Sequence, residues 1–128
     1  PTPQVDIDYL LAHYQDTDHI IWDARSPEEF SGERLLAQRS GHIPHAVNYE
    51  WTLAMDKTNS LKISDLAVIR AELAQLGISN EKTVITHCQT HHRSGFTYLI
   101  GRILGFNIKA YAGSWSEWGN RPDTPIVK

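Results

Sequence analysis

One stretch, Val84-Ile85-Thr86-His87-Cys88-Gln89-Thr90-His91-His92-Arg93-Ser94-Gly95, holds the densest chemistry in the chain. A β-branched run ends at Cys88, the only cysteine, and polar residues follow before an amphipathic stretch begins. This pattern predicts a strand, a tight loop and a helix N-terminus, with a thiol at the strand's end. Backbone N–H groups of such a loop point inward, and the helix adds the positive end of its dipole. A thiolate placed there is stabilised, so Cys88 reads as a nucleophile. The alternative is an inert, buried cysteine, the commoner fate of this residue type. The polar run that follows favours the reactive reading.

The residues beside the thiol divide by what they can offer. Arg93 closes the loop, where a guanidinium can meet an anion or brace the loop against a carboxylate. His91 and His92 can raise the local positive potential or shuttle a proton. Adjacent side chains point different ways, so at most one of the two is expected to face the sulfur. Gln89 and Thr90 are expected to serve through their backbone N–H groups. His87, Cys88, His91 and His92 also invite a metal reading. Their spacing does not match a usual zinc site, and no metal is expected.

The surrounding elements must carry that loop. Asp6 is a good N-cap for a helix bearing Ile7, Leu10, Leu11 and Tyr14. Residues 19–22 form a short buried strand ending at Asp23. Ser26-Pro27-Glu28-Glu29 is a capping box with proline at the first helical position. The charges over 33–39 read as a solvated face. Gly41-His42-Ile43-Pro44 turns into a strand over 46–49. Ser64 is expected to cap a helix with Leu66, Ile69, Leu73 and Leu76 on one face, ended by Gly77. Residues 82–87 make the central strand. Phe96, Leu99, Ile100 and Ile103 are expected to form the next helix's apolar stripe, which ends near Gly105. A last strand covers 109–111, and Gly113 to Trp118 makes a turn or single helical turn.

Strands alternating with helices predict an α/β domain, with a central, mainly parallel sheet and helices on both faces. Sites in such sheets form beyond the carboxyl ends of the strands. Asp23 and Cys88 both occupy strand ends, so they should meet at one edge. Asp23 and Arg25 are expected to act as a bracing ion pair beside the site. Trp115 and Trp118 either wall a pocket or pack the core.

Composition bounds the rest. A chain of 128 residues with 41% hydrophobic content suits one packed domain over 5–128, with 1–4 as a linker or extended lead-in. Net charge is -3 with no long run of one sign, which argues against nucleic acid or a polybasic membrane patch. One cysteine makes no internal disulfide and fits a reducing, cytoplasmic setting. No stretch reaches transmembrane length, and no signal-peptide pattern is visible. The start at Pro1-Thr2-Pro3, without Met, suggests a processed chain or a fragment.

Four ordered motifs carry a resemblance. Ile21-Trp22-Asp23-Ala24-Arg25-Ser26-Pro27-Glu28-Glu29-Phe30, Gly41-His42-Ile43-Pro44-His45-Ala46-Val47-Asn48, the Cys88–Arg93 loop and Tyr111-Ala112-Gly113-Ser114-Trp115-Ser116-Glu117-Trp118 resemble the rhodanese family of sulfurtransferases over nearly the whole chain. The likeness is greatest to the catalytic, second domain of bacterial tandem-domain thiosulfate sulfurtransferases. It implies a rhodanese-like fold and a persulfide on Cys88. Gln89, Thr90, His91, His92 and Arg93 would bind substrate, and Asp23, Arg25, Ser94 and Trp115 would support the site, without a cofactor. The partners implied are a small-molecule sulfur donor such as thiosulfate and a thiophilic acceptor such as cyanide. A second, non-catalytic rhodanese-like domain or a protein sulfur acceptor is a further expected partner.

Loop length separates related chemistries. Cysteine phosphatases and related arsenate reductases place five residues between Cys and Arg. Here there are four, which shrinks the cradle toward a single sulfane sulfur. Some family members carry a lysine two residues after the cysteine, where this chain has Thr90, so the donor stays open. The bulky, basic loop disfavours mercaptopyruvate. A sulfur-carrier or interaction module in a protein-to-protein relay remains the competing reading.

Overall fold

The computed structural model describes residues 3–53, 63–89 and 92–128, the side chains of 63–65 and 92 excepted. Its strands are β1 (Gln4–Val5), β2 (His19–Asp23), β3 (Val47–Asn48), β4 (Thr83–His87) and β5 (Asn107–Tyr111). They form a sheet of order β1-β5-β4-β2-β3, and every pairing among them is parallel. The helices are α1 (Ile7–His13), α2 (Pro27–Ser31), α3 (Ile63–Gln75), α4 (His92–Ile103) and α5 (Ser114–Trp118).

Alternation along the strands builds two cores. Ile20, Trp22, Val84 and Ile108 face Ile69 and Leu73 of α3, Ile100 of α4 and Leu104 just past its end. Ile21, Ile85 and Tyr111 face Ile7 and Leu10 of α1 and Trp115 and Trp118 of α5. Side chains on a strand alternate between faces, so a sheet with both faces apolar must be covered twice. The expected α/β architecture with helices on both faces is the observed one.

Local signals set the helix ends. The Tyr9 N–H donates to Asp6 Oδ1 at 2.9 Å, the predicted cap. Ser26 and Glu29 form the predicted capping box reciprocally. Gly77 and Gly105 take φ of +89° and +84° where α3 and α4 stop, a conformation glycine adopts without strain.

Other expectations need correction. Gln4, placed in a linker or extended lead-in, belongs to strand β1 and pairs with Ala110 of β5. Ser64 lies within α3, not before it, and its side chain is outside the described residues. Leu76 falls past the end of α3 and is exposed. Leu99 and Ile103 are more than half exposed, so the apolar stripe expected on α4 is rotated. The buried face instead runs through Thr97, Ile100, Gly101 and Leu104. A Cβ on Gly101 would stand 2.5 Å from Ile108 Cδ1, so this face packs against β5 at backbone distance. Thr97 tolerates burial because its Oγ1 lies 2.6 Å from Thr86 Oγ1 of β4. The solvated face expected over 33–39 fails at Arg39, whose guanidinium donates to the carbonyls of Arg121 and Thr124.

Candidate functional site

Parallel register brings the predicted residues to one edge. Asp23 of β2 pairs with His87 of β4, and the Ala24 N–H donates to the His87 carbonyl at 2.9 Å. Cys88 follows immediately, fully buried, at the carboxyl end of the central strand. Its Sγ accepts the Ser94 backbone N–H at 3.2 Å, and Ser94 Oγ lies 3.4 Å away. That N–H belongs to the first turn of α4, where backbone donors have no intrahelical acceptor. The predicted helix N-terminus therefore aims a donor and the positive dipole end at the sulfur.

The far side of the loop is held by the first turn of α5. Ser114 takes φ +55°, a strained conformation for a residue with a side chain. Its Oγ accepts the Cys88 N–H at 3.2 Å and donates to the Tyr111 carbonyl at 2.9 Å. The Trp115 and Ser116 N–H groups donate to the Cys88 and Gln89 carbonyls, each at 2.9 Å. The motif from Tyr111 to Trp118 is thus a clamp on the cysteine loop. Ser114 was not singled out in the sequence; its signal was its place in that motif, opposite a loop that needs satisfied backbone groups.

Arg93 ends the loop in a two-pronged ion pair. Its Nη1 and Nη2 donate to Glu29 Oε1 and Oε2 at 2.8 and 3.1 Å. Glu29 also accepts from the Ser26 N–H and hydroxyl. Burial works against its charge, but Arg93 and the Ser26 donors overcome that and lower its pKa to about 2. The bracing role therefore occupies Arg93. Sequence reasoning read Glu29 only as a capping residue, and its second role depends on a partner 64 positions away.

Behind the loop lies a second buried pair. Arg25 Nε and Nη2 donate to Asp23 Oδ1 and Oδ2 at 2.9 and 2.7 Å, and Nη2 also reaches the Gly41 carbonyl. The guanidinium carbon of Arg25 stacks 4.3 Å from the centre of a Trp115 ring. This is the bracing pair expected, and Trp115, almost wholly buried, packs in the core beneath it. Burial opposes the Asp23 charge, but positive charge from His87 when protonated and from Arg25 holds its pKa below the usual value. His87 is fully buried, with Nε2 3.7 Å from Asp23 Oδ2 and no hydrogen-bond partner on that atom among the described residues. Burial pushes its pKa down despite Asp23, so it stays neutral near pH 7.

Gln89 is tethered through its Nε2, which donates to the Leu36 carbonyl at 3.1 Å. Thr90 and His91 lie outside the described residues, as does the side chain of His92, whose backbone opens α4.

The site thus sets a sulfur at a strand end against a backbone N–H in the first turn of α4, with the Glu29–Arg93 pair at the end of the loop. The rhodanese-like domain family matches residues 6–121. The chain is 56% identical over 126 residues to a thiosulfate sulfurtransferase of Azotobacter vinelandii and 52% identical to one of Pseudomonas aeruginosa. Each match covers 97% of this chain and 45% of the relative, so the chain spans about half the length of these proteins. It is also 35% identical to the sulfur carrier protein TtuD of Thermus thermophilus, over 83% of this chain and 40% of that one. Among solved structures, a probable thiosulfate sulfurtransferase superposes with a TM-score of 0.74 at 25% identity, over 98% of this chain and 47% of its own.

Proposed function

Because this chain belongs to the rhodanese family, we propose that it moves sulfane sulfur from thiosulfate, or a similar donor, to a thiophilic acceptor such as cyanide. The observation that carries this reading is the Cys88 sulfur met by the Ser94 N–H at the start of α4.

The Cys88 thiolate attacks the outer sulfur of thiosulfate. The S–S bond of the donor breaks and its electron pair leaves with sulfite. The enzyme is left with a persulfide on Cys88, whose terminal sulfur carries the negative charge. Cyanide then attacks that sulfur, thiocyanate departs, and the thiolate is restored. The thiolate is itself the nucleophile, so no separate base is required. Donors fixed before the reaction stabilise each anionic state without reorganising. The pairs Glu29–Arg93 and Asp23–Arg25 position the loop. Gln89, Thr90, His91 and His92 are assigned to donor binding on the family resemblance. A thiol that must return to its reduced form each cycle suits a reducing, cytoplasmic compartment.

The likeness to a sulfur carrier supports a second reading, in which Cys88 takes sulfur from one protein and passes it to another. Intact-mass measurement separates the two. Thiosulfate should add about 32 Da that cyanide removes, with no gain in Cys88→Ala. Loading by a protein donor but not by thiosulfate would transfer the assignment to the carrier reading. Full turnover in Cys88→Ala would overturn both.

A further inference from the structure

At the opposite end of β2 from Asp23, a group of ligating side chains has no part in sulfur transfer. His13 ends α1, Asp16 lies in the following turn, and His19 begins β2. The Asp16 N–H donates to the His13 carbonyl at 2.9 Å, and the His19 N–H to the Asp16 carbonyl at 3.2 Å. Three-residue turns eclipse side chains at i and i+3, so the three rise on one side of the chain. Their ligand atoms all lie within 4.8 Å of one another. Asp16 Oδ2 is 2.6 Å from His13 Nδ1 and 3.8 Å from His19 Nδ1. The two imidazole rings are stacked, with centroids 4.7 Å apart and planes 17° from parallel.

We propose that His13, Asp16 and His19 form a binding site for a divalent transition cation of the zinc class. Two imidazole nitrogens with one carboxylate oxygen suit borderline ions such as zinc, cobalt and nickel rather than magnesium or calcium. Zinc bonds of about 2.0–2.2 Å place tetrahedral donors about 3.4 Å apart, so each Asp16 distance must change by less than about 1 Å. His13 and Asp16 are partly exposed and have room to make that adjustment.

The surroundings already resemble those of a ligating histidine. Tyr9 Oη lies 2.7 Å from His19 Nε2. With Nε2–H donating to Tyr9, the Nδ1 lone pair is left for the ion, the outer partner such ligands ordinarily carry. Asp18 Oδ1, 2.8 Å from the same Nδ1, takes its proton in the metal-free tautomer. Asp18 is exposed, so it can turn to solvent or add an oxygen to the ion. A pocket of about 280 Å³ lined by Tyr14, Asp16, His19 and His45 gives access. Four residue steps of strand separate His19 from Asp23, about 13 Å, so the ion would clasp α1 to β2 without touching Cys88. The proposal does not depend on the sulfurtransferase reading.

The test is a cobalt(II) titration of the full chain carrying Cys88→Ser, which removes the thiol as a competing ligand. Visible absorption and histidine-ring NMR report binding, with zinc as displacer. We expect one equivalent bound, with the His13 and His19 resonances affected first. His13→Ala and Asp16→Asn should each weaken binding at least about tenfold. Metal-free melting of the variants close to that of the parent would show that they fold. Unchanged affinity in either variant would place the ion at another histidine and overturn the proposal, as would no binding at millimolar cobalt.

Discussion

Strand β2 ends in two different environments. At Asp23 its carboxylate is wholly buried and meets Arg25, while His87 stands 3.7 Å away with one ring nitrogen unpartnered among the described residues. At His19 the chain carries histidines and carboxylates close together, and although the His19 ring is mostly covered, His13, Asp16 and Asp18 are open to water. Both edges are polar, and the difference is desolvation. Buried charges must be matched where they sit, because an unmatched one is costly. Groups near water can drift, exchange partners or accept an ion. The buried edge therefore suits a fixed anion site, and the open edge suits reversible occupancy.

The sharpest way to break this contrast is to unpair the buried edge. Asp23→Ala leaves Arg25 buried without its carboxylate and should cost about 3–5 kcal/mol. Melting should fall by roughly 10 °C or more, as calorimetry would record. A loss comparable to that of a surface substitution would mean that the pair does not support the loop.

Glu29→Gln removes one charge from the pair with Arg93 and should cost about 1–3 kcal/mol. It also sharpens the contrast through pH. The native Glu29 pKa lies below its unfolded value of about 4.5, so its contribution is present above that pH and is lost as pH falls toward about 2. His87 adds an earlier phase. It is neutral when folded and charges more readily when unfolded, so stability begins to drop as pH falls below about 6.5. Denaturant melts across pH should show both phases in the parent chain, and in Glu29→Gln a smaller low-pH phase, to which the buried Asp23 still contributes.

The smallest change belongs to the open edge. Without metal, His13→Ala should alter stability by no more than about 0.5 kcal/mol, because water replaces what the ring loses. A drop of several kcal/mol there would erase the distinction between the two ends of β2.

The elements that the sequence made legible are those whose signals lie within a few residues. Asp6 caps the residue three positions on, Ser26 and Glu29 cap each other, and Gly77 and Gly105 stop the helices they follow. The face of α4 was misread because Ser94 and Thr97 are polar. Their burial depends on Thr86 of β4 and on Cys88 just past its end. Strand β1 is two residues long and exists by pairing with residues more than 100 positions away. Arg93 stood evenly between holding an anion and bracing the loop until its partner on α2 was known.

By itself, then, the sequence determined that a lone thiol stands at the end of a β-branched run and just before a helix. It also determined the alternation of strands and helices that brings such ends to one edge. These follow from periodicity, capping and glycine conformation, which act along the chain. Only the tertiary structure decided which charges are paired. It put Glu29 on Arg93, Ser114 under Cys88, His87 beside Asp23, and two histidines against one carboxylate at the far edge. Partners for buried polar groups are chosen by the cost of leaving water, and that cost exists only once distant segments have packed together.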